Sequence, residues 1–290
     1  MNLLIITPFR NEEHTIEHTI QSICKQTIQP EKWIMIDDNS TDNSGDIVKE
    51  YGSLNKFIHY EKRLANANRS TGANIVNIFN EGLHIANREG IEWDIVLKLD
   101  ADLIIDKPNY LAFMLEKFKK HDKLGIASGA TYLEVNGEKI IESSHKWHTQ
   151  GPNKFYRKEC LLEMGGLKPF KGWDGIDDIL ARDLGYLTEK FFEQPLLHVY
   201  PTQSRQDEGG IKKGLKREAE GYQNRDYPFY MFLFKAAALV KKKGLPNSLF
   251  FLWYGMKIKL MKKPLVNEKE SKIVRRFLLD RLLGKIKFSQ

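Results

Sequence analysis

The chain has 290 residues, 41% hydrophobic and 29% charged, which is enough for a full core and excludes wholesale disorder. Its net charge of +7 is uneven: residues 1–210 carry 25 Lys and Arg against 32 Asp and Glu, whereas residues 211–290 carry 20 against 6. No apolar run reaches the length of about 18 residues needed for a membrane span, and the two cysteines, Cys24 and Cys160, follow no metal or redox spacing, as expected of buried thiols in a reducing compartment.

The start, Met1-Asn2-Leu3-Leu4-Ile5-Ile6, lacks the basic opening of a signal peptide and runs straight into a strand that ends near Thr7-Pro8. After Phe9-Arg10-Asn11-Glu12-Glu13, the residues Ile16, Ile20, Ile23 and Cys24 recur at helical spacing, and the helix stops before Pro30. Trp33 to Ile36 reads as a second strand, followed by Asp37-Asp38-Asn39-Ser40-Thr41-Asp42-Asn43-Ser44, a loop with helix-capping chemistry that leads into a short helix at Ile47-Val48. Lys56 to Tyr60 is a candidate third strand. A polar stretch over Asn66 to Gly72 precedes an amphipathic helix marked by Ile75, Ile78, Phe79, Leu83 and Ile85.

Trp93 to Leu99 is an apolar run expected to form a buried strand, and it delivers Asp100 and Asp102 at its end. Alternation along a strand places residues i and i+2 on one face, and the ends of strands are where open α/β sheets hold ligands. Two carboxylates converging there repel each other unless a cation lies between them, and oxygen ligands suit Mg²⁺ or Mn²⁺. The plainer alternative is a solvated pair capping the next helix. Further on, Tyr132 to Val135 and Lys139 to Ile141 flank Asn136-Gly137, a strong hairpin signal. Alternating strands and helices imply an α/β fold whose mostly parallel central sheet is covered on both faces, with a later antiparallel excursion.

Taken together, Thr7-Pro8-Phe9-Arg10-Asn11-Glu12, Gln26-Thr27, Asp37-Asp38-Asn39-Ser40-Thr41-Asp42 and Asp100-Ala101-Asp102 resemble, in order and spacing, the inverting family 2 glycosyltransferases of the GT-A fold, over roughly residues 1–205. The resemblance implies a nucleotide-diphospho-sugar donor (a UDP-sugar is favoured), a divalent metal, Mg²⁺ or Mn²⁺, and transfer with inversion to a saccharide or lipid-linked acceptor. It implies that Thr7 and Asp38 meet the base or ribose with Asn11 and Glu12 in support. Asp100 and Asp102 then bracket ribose and metal, and His198, near the end of an apolar strand, is a further metal or diphosphate ligand. Some of Asp37 to Asp42 serve only as turn and cap, with Asp42 the leading candidate for that role.

Inversion requires a general base at the start of a late helix. Family members usually carry Glu-Asp, the Asp eleven residues before a Gly-aromatic pair; counting back from Gly185 reaches Asp174, with Trp173 in the place of the Glu. A bacterial subgroup with Trp-Asp-x-Ile-Asp and a later His resembles it more closely. Asp174, Asp177 and Asp178 fall at i, i+3 and i+4, and mutual repulsion among clustered carboxylates favours a base near neutral pH. Asp174 is the first candidate for the base and Asp177 the second; acids favouring the helix dipole is the competing explanation. Gly165-Gly166 fits the acceptor-side turn of the family, and His145 and His148 flank Trp147 in a polar loop without a required role.

The division expected is a catalytic domain over 1–210 and a basic helical tail over 211–290. Within the tail, helices around Tyr227 to Lys243 and Leu249 to Leu260 are apolar, aromatic and bounded by lysines, which suits an anionic membrane surface at the cytoplasmic face of the cell membrane. Packing on the catalytic domain with solvated lysines is the alternative. No nucleic-acid motif accompanies the basic charge. Two rival functions share these features: a silent sugar-nucleotide or glycan-binding module, and a sugar nucleotidyltransferase, which lacks here the Gly-rich phosphate loop it needs.

Overall fold

In the computed structural model, which describes residues 1–63, 73–142, 145–200 and 210–285, the first apolar run becomes a strand, β1 (Leu3–Phe9), buried along its whole length. Burial on both faces is the condition of a central parallel strand. Its neighbours are β2 (Lys32–Asp37) and β4 (Ile95–Leu99), both parallel to it, and β3 (Ile58–Lys62) extends the sheet beyond β2. The connections are α1 (Ile16–Cys24), α2 (Ser44–Leu54) and α3 (Ala73–Arg88). The strand expected over 93–99 starts two residues later, the one expected over 56–60 is shifted to 58–62, and the short helix at 47–48 runs for 11 residues. The polar stretch over 66–72 lies outside the described residues.

The remaining strands are β5 (Leu103–Ile104), β6 (Leu124–Val135), β7 (Glu138–Ile141), β8 (Asn153–Arg157) and β9 (Leu187–His198), with α4 (Tyr110–Lys120), α5 (Lys158–Glu163) and α6 (Trp173–Asp183) between them. Beyond β4 the sheet is mixed: β8 runs antiparallel to β4 and β6, whereas β9 runs parallel to β6. The order is β3-β2-β1-β4-β8-β6-β9-β5, with β7 paired to β6. The β6–β7 hairpin turns on Asn136 (φ 54°) and Gly137 (φ 81°), the two positive φ values that a type I′ turn requires.

The two faces of the sheet carry separate hydrophobic clusters. Leu3, Ile5 and Phe9 of β1 pack with α1, α2 and α4; Leu4 and Ile6 face α3 and α6. The basic segment forms α7 (Gly210–Asn224), α8 (Phe229–Lys243), α9 (Leu245–Met261) and α10 (Glu268–Leu282). Leu215, Phe232, Phe251 and Phe277 of these helices join the cluster on the α6 side, and the Phe277 ring lies 5.3 Å from that of Trp147. The tail therefore completes the core over α6 with one stripe of its apolar residues.

A buried row of lysines crosses the sheet beneath α6. Lys98 on β4 stands directly opposite Lys154 on β8, Lys154 opposite Ser128 on β6, and Ser128 opposite Lys190 on β9. Like charges in such register repel, and burial makes each of them costly without a partner. The acids of α6, together with Asp100, answer that charge.

Candidate active site

The C-terminal ends of β1, β2 and β4 open into a cleft of about 240 Å³ lined by Phe9, Arg10, Glu12, Asp38, Asn74, Ile75, Ile78, Asp100 and Asp102. Four of the residues singled out in the sequence, Glu12, Asp38, Asp100 and Asp102, thus come together. Asp38 accepts from Arg63 (2.9 Å) and from Asn74 (2.7 Å), and Arg63 also reaches Glu81 (2.8 Å). This network holds the Asp38 carboxylate at the rim of the cleft, while Ile75 and Ile78 offer it an apolar wall. Asn11, in the left-handed region at φ 53°, ties two loops: its Oδ1 accepts from the Thr41 amide (2.8 Å), and its own amide donates to Ser40 Oγ (3.1 Å).

The loop acids divide by role. Asp37 is buried, accepting from the Ser40 amide (2.7 Å) and the Tyr60 hydroxyl (2.9 Å). Asp42 accepts from the amide and hydroxyl of Ser44 and from the Glu13 amide; burial works to raise it, but these bonds outweigh burial and hold it below the usual carboxylate range. Thr7 is placed differently from the expectation. It is fully buried on the α1 face of the sheet, where its hydroxyl accepts from the Trp33 indole at 2.9 Å. Strand alternation aims it into the core, so its side chain does not reach the cleft.

Asp102 and His198 meet through pairing that no local pattern reveals. Leu103 of β5 is in register with His198 of β9, so the last residue of β9 lies beside the residue that precedes β5. His198 Nε2 is 3.8 Å from Asp102, and Nδ1 is 2.8 Å from Glu142, which also accepts from Thr131 Oγ1 (2.7 Å). Burial opposes protonation of His198, but Glu142 and Asp102 outweigh it and raise the imidazole above its ordinary value. An imidazole oriented by a carboxylate on one nitrogen, with the other nitrogen facing a second carboxylate, is a fitting donor pair for a divalent metal. Among the described residues no group of three or more His, Cys, Asp or Glu side chains forms a metal cluster. A divalent metal here would take these two donors and complete its shell with phosphate oxygens and water.

The α6 trio separates cleanly. Asp177, the second candidate for the base, is 3% exposed and held by Lys154 (2.7 Å) and the Tyr156 hydroxyl (2.7 Å). Asp178 is wholly buried, accepting from Thr149 Oγ1 (2.6 Å) and the Thr149 amide (3.0 Å), with His148 Nδ1 at 2.8 Å. Burial raises Asp177 against the pull of Lys154; burial acts on Asp178 too, but there Lys154, His148 and Thr149 prevail and lower it. Neither carboxylate is presented to an incoming hydroxyl, which corrects the expectation for Asp177. Asp174, in the first turn of α6, is partly exposed, and its side chain makes no hydrogen bond to the described residues.

Lys98, which sequence reading passed over, joins the two halves of the site. Its ammonium is ion-paired with Asp100, donates to the Gly151 carbonyl at 3.0 Å, and lies 5.4 Å from the centre of the Trp173 ring. A Cβ built on Gly151 would lie 3.4 Å from Asp174 Oδ2. Asp174 is therefore one residue's width from the Lys98–Asp100 pair that edges the cleft. Trp173, standing where a Glu was expected, also covers Lys154 at 5.6 Å. A lone Lys inside an apolar run was the available signal for Lys98.

Comparison with known proteins was made against this geometry. A profile described as Glycosyl transferase family 2 matches residues 4–171. The poly-beta-1,6-N-acetyl-D-glucosamine synthase of Staphylococcus epidermidis is 31% identical over 121 residues, covering 41% of this chain and 26% of that protein. That of Staphylococcus aureus strain COL is 32% identical over 121 residues with the same coverage. The chain thus spans about a quarter of the length of these relatives. Among solved structures, S. aureus TarS 1–349 in complex with UDP-GlcNAc is similar at TM-score 0.58 and 15% identity, over 98% of this chain and 92% of that one. The mannosyltransferase PcManGT of Pyrobaculum calidifontis, in complex with GDP-Man and Mn²⁺, gives TM-score 0.57 at 14% identity, over 99% and 81%. At such identities the likeness concerns the fold, the α/β GT-A arrangement expected from the sequence.

Proposed function

The chain belongs to glycosyl transferase family 2 and is a glycosyltransferase, and from that premise we propose that it transfers a sugar, with inversion, from a nucleotide-diphospho-sugar to a hydroxyl of a saccharide or lipid-linked acceptor. A UDP-sugar is the favoured donor. Asp38 receives the base or ribose at the rim of the cleft, Ile75 and Ile78 flank the base, and Asp100 lies toward the ribose. A divalent metal held by Asp102 and His198, Mg²⁺ or Mn²⁺, would neutralise the departing diphosphate. The acceptor oxygen attacks the anomeric carbon as the bond from that carbon to the diphosphate oxygen breaks, and the hydroxyl proton passes to Asp174. The observation that carries this reading is the contrast within α6. Of Asp174, Asp177 and Asp178, the last two are consumed by Lys154, Tyr156, Thr149 and His148, and Asp174 keeps its carboxylate available beside the donor cleft.

Thermal unfolding with UDP, GDP, TDP and CDP, each with and without Mn²⁺, tests the donor assignment. At 100 times its dissociation constant a bound nucleotide stabilises the fold by about 2.7 kcal/mol. UDP is expected to give that shift only with metal, and Asp102→Ala to lose it. A metal-independent shift retained in Asp102→Ala would remove Asp102 from the metal site.

The proposal extends to the tail. Residues 1–210 act as the catalytic unit, and 211–290 as a segment that lies on an anionic membrane surface, at the inner face of the cell membrane. No helix among the described residues is long and apolar enough to cross a membrane. Leu249, Trp253, Met256 and Leu260 form an exposed stripe along α9, Leu233 and Phe234 are exposed on α8, and Lys241, Lys242, Lys243, Lys257, Lys262 and Lys263 edge these helices. Apolar side chains bounded by lysine suit the bilayer interface. Flotation with phosphatidylglycerol vesicles at low salt is expected to carry the protein upward, with weaker binding for Trp253→Ala and at high salt. Failure to float at low salt counts against the membrane role.

A further inference from the structure

A second cavity, of about 180 Å³, lies where the tail meets α6, and it reaches Gly175, the residue after Asp174. Its polar lining includes His145, His148 (bonded to Asp178) and two arginines on separate tail elements, Arg225 just after α7 and Arg281 near the end of α10. Neither is paired with a carboxylate among the described residues. Arg225 Nε donates to the Gly221 carbonyl at 3.0 Å, and its guanidinium lies 4.4 Å from the centre of the Tyr227 ring. Arg281 lies 5.3 Å from the Trp147 ring centre, with Nη2 2.9 Å from His145 Nε2. Burial and then the Arg281 charge lower the His145 pKa. Some other arginines do find acids, Arg63 taking Asp38 and Glu81 and Arg275 taking Asp226, while Arg157 bonds backbone carbonyls.

The placement of Arg225 strengthens the case. A Cβ at Gly172 would lie 2.8 Å from its Nε, and one at Gly175 would lie 2.6 Å from its Nη1, so the guanidinium lies flat against the first turn of α6 because those two positions carry no side chain. That turn is the positive end of the helix dipole, where a cation is disfavoured. Two guanidinium groups that have no carboxylate partner among the described residues thus share one cavity, one of them against the first turn of α6, which also carries Asp174. The rings of Trp147, Tyr222 and Tyr227 also line the cavity, with Tyr227 packed against Arg225 and Trp147 against Arg281.

We propose that this cavity binds an anionic group, phosphate or carboxylate, borne by the acceptor saccharide, and so positions the accepting hydroxyl at Asp174. This rests on the glycosyl-transfer reading above. Arginine recognises either oxyanion through two parallel hydrogen bonds, and the saccharide that bears it follows from the glycosyl-transfer reading.

The test is binding by calorimetry, without donor, of four probes: glucose 1-phosphate, glucuronic acid, methyl glucoside and inorganic phosphate. Wild type is expected to bind one of the two charged sugars, the better one naming the anion. Methyl glucoside and inorganic phosphate are expected to bind at least about tenfold more weakly. Arg225→Gln and Arg281→Gln each reduce charged-sugar binding about tenfold, while Asp102→Ala leaves it unchanged. The UDP-and-Mn²⁺ thermal shift, expected to persist in both arginine variants, serves as the control for folding and for the donor site. The proposal is overturned if methyl glucoside binds as well as the charged sugars, if inorganic phosphate alone matches glucose 1-phosphate, or if the folded arginine variants bind as wild type does. Loss of the UDP shift in wild type, with charged-sugar binding intact and arginine-dependent, would instead overturn the donor reading and leave the anion site standing.

Discussion

Asp174→Asn is expected to lower kcat by about 10²- to 10⁴-fold, the usual contribution of a positioned general base, while the thermal shift produced by UDP with Mn²⁺ stays at its wild-type size. The amide keeps the shape of the side chain and removes its ability to take the acceptor proton. Because Asp174 stands beside the donor cleft and does not line it, nucleotide binding is untouched. The comparison that decides the matter is Asp177→Asn. That change disturbs a carboxylate tied to Lys154 and Tyr156, so its main effect is on stability. Release of the nucleoside diphosphate in a single turnover, with the sugar nucleotide whose diphosphate gives the thermal shift, reads the chemical step directly. If Asp174→Asn turns over within threefold of wild type, Asp174 is not the base.

The second large effect is on folding. Lys154→Met is expected to destabilise the protein by about 3–5 kcal/mol, the penalty for leaving buried acids without their cation. Lys154 is wholly buried, bonds both oxygens of Asp177, lies 3.7 Å from Asp178, and donates to the Asp174 carbonyl at 2.9 Å. Removing its charge leaves Asp177 in the core with Tyr156 as its remaining side-chain donor. Its folded pKa then rises further above its unfolded value. A carboxyl so shifted weakens the fold at high pH and ceases to do so once protonated, so the gap between variant and wild type narrows as pH falls. Urea midpoints across a pH series measure this, and the double variant Lys154→Met/Asp177→Asn is expected to recover part of the loss. A gap independent of pH would show that the variant suffers from packing alone.

These two predictions divide α6 in a way the sequence left open. Asp174, Asp177 and Asp178 look equivalent along the chain, since a spacing of three and four puts them on neighbouring faces of one helix. What separates them is the row of lysines beneath. Lys98, Lys154 and Lys190 come from three different strands, and only the pairing of β4 with β8 and of β6 with β8 and β9 lines them up under the helix. Burial pulls Lys190 down to about 8, with Asp178 opposing. β8 itself escaped notice for the same reason. Asn153-Lys154-Phe155-Tyr156-Arg157 is too polar to read as a buried strand until the acids that neutralise it are known.

The donor side was more legible. Asp38, Asp100 and Asp102 follow apolar runs, and a strand that ends in polar residues places them at the C-terminal edge of a parallel sheet, where the structure has them. Thr7 belongs to the same motif, yet strand alternation points it to the opposite face, where Trp33 takes its hydroxyl. Motif membership located the loop, and parity along β1 decided the side chain. The exposed stripe of α9 is a further case. An apolar, aromatic helix was evident from composition, but which of its residues the core would claim was decided by α7 and α8 packing on one side of it.

What the sequence determined by itself was everything that depends on near neighbours: the alternation of buried strands and helices, the Asn136-Gly137 hairpin, the capping loop over 37–44, the carboxylates at the ends of apolar runs, and the asymmetry of charge. These rest on backbone geometry and periodicity, which act over a few residues. The tertiary structure decided what depends on residues distant in the chain. It brought His198 to Asp102 through the β5–β9 register, tied Asp177 to Lys154 and Asp178 to Thr149 and His148, and set Arg225 and Arg281 in one cavity that reaches Gly175. An ionisable side chain takes its role from the charges packed against it, and in this protein those charges come from strands and helices distant in sequence.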